Sequence, residues 1–309
     1  MNIRELIDSH PEVLQDRHGL SYSEADAVDD IARGLRQQGV IMLRRVLDKA
    51  LLADCQRSFA AFAASLGQQG PAWGRLLDFD DAPKPEWAHG ETPGGSWHNP
   101  WVIRHWWRRP AAGIISAVIA SWAWPLVERM CGSTDVAILL GLCQARHAID
   151  VDLGVGAHQD AKVLPAVAPF ALWVPLQDLE PRQHSAIGFV VGDPQGLLPT
   201  LPHNDVGPDY VLDRIERVWL PSYRAGDLTA HTNTLPHFTT GYGTGSHRFS
   251  LEVRAVAAKD ATNPLDNPSV LVSRVSGRPR IVATHYEPPV KAGWFLKAFR
   301  VERANLGRS

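Results

Sequence analysis

The sequence predicts a mainly β protein with flanking helices, in which a helical N-terminal part leads into an antiparallel sandwich or barrel. Three observations predict this. Helical periodicity is confined to about residues 1–132. After Gly132 the chain breaks into short apolar runs at 136–145, 171–177, 187–192, 216–220, 227–232, 248–257, 269–274 and 280–284. The breaks carry Pro and Gly with no helical pattern between them, which argues against alternating β-α units.

The elements follow in order. Ser23 with Asp26 marks a helix start, and Val28, Ile31, Ala32 and Leu35 then recur at helical spacing up to Gly39. Val40 to Leu43 is an apolar, partly β-branched run that reads as a strand. Asp48 caps a second helix carrying Leu51, Leu52, Cys55, Phe59, Phe62 and Leu66, stopped by Gly67. Residues 68–110 are rich in Gly, Pro and Trp with no sustained period, so they read as a long irregular segment of the kind that forms lids or binding loops. One further helix is expected from Ile114 to Met130, ending at Gly132. Pro175 inside its run suggests an edge strand or a bulge.

A chain of 309 residues is long for one average domain, yet β folds with added helices reach this size as a single unit, so one domain over 1–309 is expected. With 45% hydrophobic and 21% charged residues it has material for a substantial core. A formal charge of −2 provides no field that would draw phosphate backbones or anionic membranes, so neither nucleic acid nor membrane is expected as a partner. Cys55, Cys131 and Cys143 form no CxxC pair and read as thiols of a reducing compartment. The start lacks a basic segment followed by an apolar run, and no apolar stretch is long enough to span a bilayer, so a soluble cytoplasmic protein is the expectation. Oligomeric state is not legible.

The chemistry is carried by His158-Gln159-Asp160. In a strand, residues i and i+2 project from one face, so an imidazole and a carboxylate at this spacing can reach one metal. The pattern is weak alone, because His203-Asn204-Asp205 repeats it and 13 histidines produce such pairs by chance. Context separates them: the first pair precedes the run Ala171 to Gln177, whereas His203 lies between Pro202 and Pro208 in a loop. A third ligand from another strand would complete a facial triad that leaves the opposite positions open. His237 and His231 are the candidates. His237 is preferred, because Arg248 follows 11 residues later at the head of the apolar-polar run Arg248 to Arg254. A hairpin of that length can return a guanidinium beside the metal, and its planar fork suits a carboxylate. His231 reads as a core or lining histidine, and His147, His184 and His247 as surface or loop residues.

Gln38 to Leu47, Ala157 to Asp160, Leu172 to Asp178, and Gly226-Asp227 through His237 to Arg248 together resemble the phytanoyl-CoA dioxygenase-like family, over roughly residues 25–257. That resemblance implies a double-stranded β-helix (jelly-roll, cupin-like) core at about 133–257, with a helical part before it and an extension after about 258. It implies Fe(II) held by His158, Asp160 and His237, and 2-oxoglutarate with its distal carboxylate on Arg248. O₂ would be the oxidant and ascorbate a supporting reductant. Trp173 matches a position flanking the co-substrate, and Gln144 resembles a polar residue serving it in some members. The stretch Ser185 to Asp193 departs from the family's Gly-rich turn and Pro-Gly pair, which bears on substrate preference.

The resemblance further implies oxidation of a small molecule with release of succinate and CO₂. Because related halogenases have a small residue at the position of Asp160, hydroxylation, desaturation or ring formation is expected here. Trp97, His98, Trp101, Arg104, His105, Trp106, Trp107, Arg108 and Arg109 could line a pocket for a planar or anionic substrate, or merely anchor their loop to the core. The competing readings are a cupin-like binding protein without redox chemistry, and a hydrolase or isomerase in which zinc polarises water. Neither uses Arg248.

Overall fold

The computed structural model describes residues 3–15, 19–65, 76–78, 101–104, 112–139, 144–149, 156–162, 170–192, 196–200, 205–261 and 269–286. The chain opens with helix α1 (Ile3–Ser9), a short strand β1 (Ser21–Tyr22), helix α2 (Val28–Gln38) and strand β2 (Val40–Leu43). Ser23 and Asp26 do not cap α2; they close a turn ahead of it, with the Ser23 backbone N–H donating to the Asp26 carboxylate at 2.7 Å. The helix ends as expected at Gly39, whose φ of 77° is left-handed and whose N–H returns to the Leu35 carbonyl. Helix α3 (Lys49–Ser65) starts where Asp48 accepts from the N–H groups of Ala50 and Leu51, at 2.8 and 3.1 Å.

Two short strands, β3 (Leu76–Asp78) and β4 (Trp101–Arg104), lie in the segment expected to be irregular throughout. They correct that reading, since their Leu-Leu and Trp-Val-Ile runs are too short to set a period. The single helix expected from Ile114 to Met130 is two, α4 (Ala112–Ala120) and α5 (Trp124–Cys131). Pro125 supplies the reason: it cannot continue a helix but fits the first turn of a new one. No single described helix is long and apolar enough to cross a membrane. The bent pair α4–α5 passes such a test only jointly, at an angle of 81°. Its Ile114, Ile115, Val118, Ile119, Leu126 and Val127 are buried in the main core.

The remaining strands are β5 (Val136–Leu139), β6 (Gln144–Ile149), β7 (Phe170–Pro175), β8 (Ala186–Val190) and, after a short helix α6 (Pro208–Leu212), β9 (Val218–Trp219). They continue with β10 (Leu228–Thr232), β11 (His237–Thr240), β12 (His247–Ala257), β13 (Ser269–Val275) and β14 (Arg278–Tyr286). A large mixed sheet runs β1-β2-β10-β7-β12-β5-β13-β14, with β6 also pairing β12 and carrying β4 and β3 on its outer side; a small sheet runs β11-β8-β9. The protein is therefore mostly β with a few helices. Strand β7 is interior, flanked by β10 and β12, so Pro175 marks neither an edge nor a bulge. It is the last residue of the strand, and the next N–H, of Leu176, reaches the Phe249 carbonyl at 3.0 Å. The N-terminal part is not purely helical, because β2 sits inside the large sheet, and past residue 258 the β13–β14 hairpin extends that sheet from β5.

Strand β12 shows how the two sheets position a site. Phe249, Leu251, Val253 and Ala255 face the core shared with α2, α4 and α5, while Arg248, Ser250, Glu252 and Arg254 alternate with them and are buried on the other face. That other face belongs to the space between the sheets. There Val40, Met42 and Trp173 of the large sheet meet Ile187, Phe189 and Trp219 of the small one.

The loop leading into β10 locks this arrangement. Asp227 accepts from the N–H groups of Arg45 and Arg224 and pairs with the Arg44 guanidinium at 2.9 Å, while the Gly226 carbonyl accepts from Val46 and Leu47. Gly226 has φ of 102°, and a Cβ there would lie 2.5 Å from the Leu47 carbonyl oxygen. Gly226→Ala is therefore expected to destabilise the fold by about 1–3 kcal/mol, combining strained backbone with a clash against main chain. A urea titration measures it, and a change below about 0.5 kcal/mol, ordinary for a surface substitution, would remove Gly226 from this role.

Candidate metal centre

His158 and His237 are joined by backbone before their side chains meet. His158 forms an isolated antiparallel bridge with the first residue of β11, each N–H donating to the other's carbonyl at 2.9 and 3.0 Å. The imidazoles consequently lie side by side, ring centroids 4.4 Å apart. Each is oriented by a carbonyl two residues upstream: His158 Nδ1 contacts the Gly156 oxygen at 2.8 Å, and His237 Nδ1 the Leu235 oxygen at 3.0 Å. A carbonyl only accepts, so both Nδ1 atoms carry a proton, and in the neutral form each Nε2 keeps a lone pair for a metal. Burial lowers the pKa of His237, against the opposing pull of Asp160, which favours the neutral, metal-binding form.

Asp160 arrives differently from the expected strand geometry. His158 is in a bridge, but Asp160 opens a 3-10 turn, Asp160–Lys162, so the pair does not share the face of a continuous strand. The physical cause is the residue between them. Gln159 is fully buried, donates to the carbonyls of Gly196 and Thr234, and accepts from the Leu198 N–H at 2.8 Å. Together with the Ala161 N–H on the Asn233 carbonyl, these bonds turn the chain inward at Asp160. One donor atom from each of His158, Asp160 and His237 lies within 4.8 Å of the others.

The separation between His158 Nε2 and Asp160 Oδ1 fits a shared ion. Asp160 Oδ1 is 3.9 Å from His158 Nε2 and Oδ2 is 3.8 Å from His237 Nε2, too long for hydrogen bonds. Donors each about 2.1 Å from one ion would lie between about 3 and 4.2 Å apart. Two neutral imidazoles and one carboxylate are also the donor set of a facial triad for a divalent first-row metal.

Further charges crowd Asp160. The Arg254 guanidinium reaches Oδ2 at 2.6 Å and also pairs with Glu252, and His231 Nε2 lies 3.9 Å from the same oxygen. Burial alone would raise the Asp160 pKa, but Arg254, His237, His231 and His158 together hold it well below the usual carboxylate range. His231 is 1% exposed and its ring centroid is 4.7 Å from that of His237, so it lines the centre.

Arg248 is 1% exposed on the inner face of β12. One terminal nitrogen donates to Ser185 Oγ at 3.3 Å, and the guanidinium lies 5.5 Å from the centre of the Trp173 ring. Trp173 packs on Tyr223, whose phenol is fully buried and raised in pKa by that burial. Position 144 is directly opposite Glu252 in the β6–β12 pairing; the side chain of Gln144 lies outside what the structure describes. Of the Trp- and Arg-rich segment 97–109, only the backbone of β4 is described, and Cys143 and His203 are likewise outside.

Asp205, from the competing His-x-Asp pair, is a neighbour and not a triad member. It bridges His158 through backbone and accepts from the Gly207 N–H, and a Cβ at Gly156 would collide with its carboxylate. His10 pairs with Glu12 at the surface and His184 Nδ1 accepts from the Glu180 N–H. Arg254 and Glu252 are the residues that sequence reading missed. Their signal was their place in the same alternation as Arg248.

No protein-family model matches the chain, and no curated protein matches it. Solved structures do. One is SnoN, a non-heme alpha-ketoglutarate-dependent epimerase from nogalamycin biosynthesis, at 18% identity and TM-score 0.51, covering 86% of this chain and 93% of that one. Another is SnoK, a non-heme alpha-ketoglutarate-dependent carbocyclase of the same biosynthesis, at 15% identity and TM-score 0.52, covering 90% and 94%. A third is the non-heme monooxygenase ThoJ, at 16% identity and TM-score 0.50, covering 88% and 94%. At such identities the likeness is one of fold. It extends over nearly the whole of each neighbour.

Proposed function

We propose that this chain is an Fe(II)- and 2-oxoglutarate-dependent oxygenase of the phytanoyl-CoA dioxygenase-like kind, acting on a small organic molecule from one domain with a double-stranded β-helix core. The observation that carries the reading is the convergence of His158, Asp160 and His237, donor atoms within 4.8 Å of one another, in a fold whose β12 buries Arg248 on its inner face. The fold likeness to alpha-ketoglutarate-dependent enzymes supports it.

In this reading His158 and His237 would hold Fe(II) through Nε2 and Asp160 through one oxygen. Bound there, iron with 2-oxoglutarate and O₂ would supply oxidising chemistry capable of acting on unactivated carbon, with succinate and CO₂ as by-products. The protein's share is position and exclusion of water. Arg248 holds the distal carboxylate of the co-substrate by charge-assisted hydrogen bonds, and Trp173 covers the guanidinium. The contribution proposed for Gln144 rests on its register opposite Glu252. Phe189, buried and centred 6.5 Å from the His237 ring, adds an apolar side chain next to that imidazole. Hydroxylation, desaturation and ring formation are the outcomes open to such a centre.

The test is direct. Protein supplied with Fe(II), 2-oxoglutarate, ascorbate and air is expected to form succinate slowly without substrate and faster with the right member of a metabolite panel. Chelator or strict anaerobiosis should stop both. Succinate formation that never exceeds a protein-free control across the panel would sink the proposal.

A further inference from the structure

Among the buried polar side chains described, His231 stands apart. Neither ring nitrogen has a hydrogen-bond partner among the described residues, and the side chain is 2% exposed. A buried imidazole in this state has surrendered water without a hydrogen bond of normal length in return, so its placement needs a cause.

The sheet register supplies one. His231 on β10 pairs with Ala171 on β7, and Ala171 pairs with Arg254 on β12. Residues directly opposite in antiparallel strands point to one face, so His231 and Arg254 project from the same row, roughly 10 Å apart at the backbone. The residue between them is only a methyl group, which leaves room for both long side chains to lean together. They meet on the same atom: Arg254 bonds Asp160 Oδ2 at 2.6 Å, and His231 Nε2 faces it at 3.9 Å. That approach is about 1 Å short of a hydrogen bond, a gap that a small carboxylate rotation closes. His231 is not one of the three residues whose donors all lie within 4.8 Å, so it stands behind Asp160 and not beside it as a ligand.

We propose that His231 is a positioning residue which, with Arg254, clamps the outer oxygen of Asp160, so that Asp160 presents Oδ1 alone to the metal. In this arrangement His231 carries its proton on Nε2 and donates it to Oδ2, while Arg254 donates to the same oxygen from the opposite side of Ala171. A carboxylate held through one oxygen is barred from chelating the ion with both, and the coordination positions needed by co-substrate and O₂ stay open. The inference rests on the metal-centre reading above.

The test uses the full chain, Co(II) as probe, and the variants His231→Phe, His231→Gln and His158→Ala. His231→Phe is expected to weaken Co(II) binding about 10-fold by calorimetry, the size of loss that removing an outer-shell partner produces, and to shift the Co(II) ligand-field bands. In chelator the same variant should melt at or above the wild-type temperature, because an apolar ring beside Phe189 replaces a buried imidazole that makes no hydrogen bond among the described residues. His231→Gln, which keeps a donor, should recover most of the affinity and the wild-type bands. A residue that merely filled space would lose stability and metal together. Wild-type affinity and bands in His231→Phe overturn the clamp, as does a folded His231→Gln no better than the Phe variant. Should His158→Ala bind Co(II) as wild type does, the metal centre itself falls, and the clamp with it.

Discussion

Asp160→Ala is expected to abolish iron-dependent succinate formation and to weaken divalent-metal binding by more than the ~10–100-fold that loss of an outer-shell partner costs. The same change should lower the stability of the metal-free protein, because Asp160 has a second role. It pairs at 2.6 Å with Arg254, a guanidinium only 4% exposed. Taking one member out of a buried pair costs about 3–5 kcal/mol, since the survivor is left charged in a poorly solvating place. Glu252 stays beside Arg254 and offsets part of this. The variant should then melt roughly 5–10 °C below wild type in chelator at pH 7.

The pH dependence of that gap follows from the depressed Asp160 pKa. Burial works against ionisation, but the Arg254, His237, His231 and His158 side chains together keep the carboxyl ionised well below its usual range. Such a group contributes its full stabilisation above the unfolded value of about 3.9 and loses it only as pH falls through the lower folded value. The carboxylate's contribution to the difference between wild type and Asp160→Ala should therefore persist from pH 7 to pH 5 and be lost only in stronger acid. A gap already closing at pH 5 would mean that the carboxylate is not held by its neighbours.

The centre was unevenly legible in the sequence. His158, Asp160 and His237 are types and spacings that chemistry makes conspicuous, and Arg248 sits 11 residues after His237. The local structure under them was less so. Asp160 leaves the strand path because the amide of Gln159 finds three backbone partners, a tertiary event with no periodic signature. The strand β11 went unread because His-Phe-Thr-Thr carries a single apolar residue. Arg254 and Glu252 were hidden by a sound rule: alternation of apolar and polar residues normally marks a sheet with one wet face. In β12 both faces are buried, and the polar one is lined up against the centre. Pro125 carried a signal for the break between α4 and α5, but the run of apolar residues across it masked that signal. His231 was recognisable as a lining residue, while its approach to Asp160 without a hydrogen bond among the described residues could emerge only from coordinates.

Arg248→Leu should separate co-substrate binding from metal binding. Its guanidinium contacts Ser185 and lies over Trp173, whereas Arg254 is the arginine at Asp160. Leucine is well tolerated in such a dry place, so the variant should fold and bind Co(II) with nearly wild-type affinity. The KM for 2-oxoglutarate should rise about 100-fold, equivalent to about 3 kcal/mol, the upper range for a hydrogen bond to a charged group. Arg248→Lys should fall between, because an ammonium keeps the charge but not the two parallel donors that match a carboxylate. Steady-state kinetics over a wide co-substrate range, with calorimetric Co(II) titrations alongside, distinguishes the alternatives. An unchanged KM would take Arg248 out of the anchor role, and a matching loss of Co(II) affinity would move it to the metal. The contrast between Arg248 and Arg254 is thus a property of one strand: β12 buries two guanidiniums on the same face, six residues apart in sequence, one paired with Asp160 and Glu252 and the other beside Ser185 and Trp173, where the proposed co-substrate carboxylate would dock.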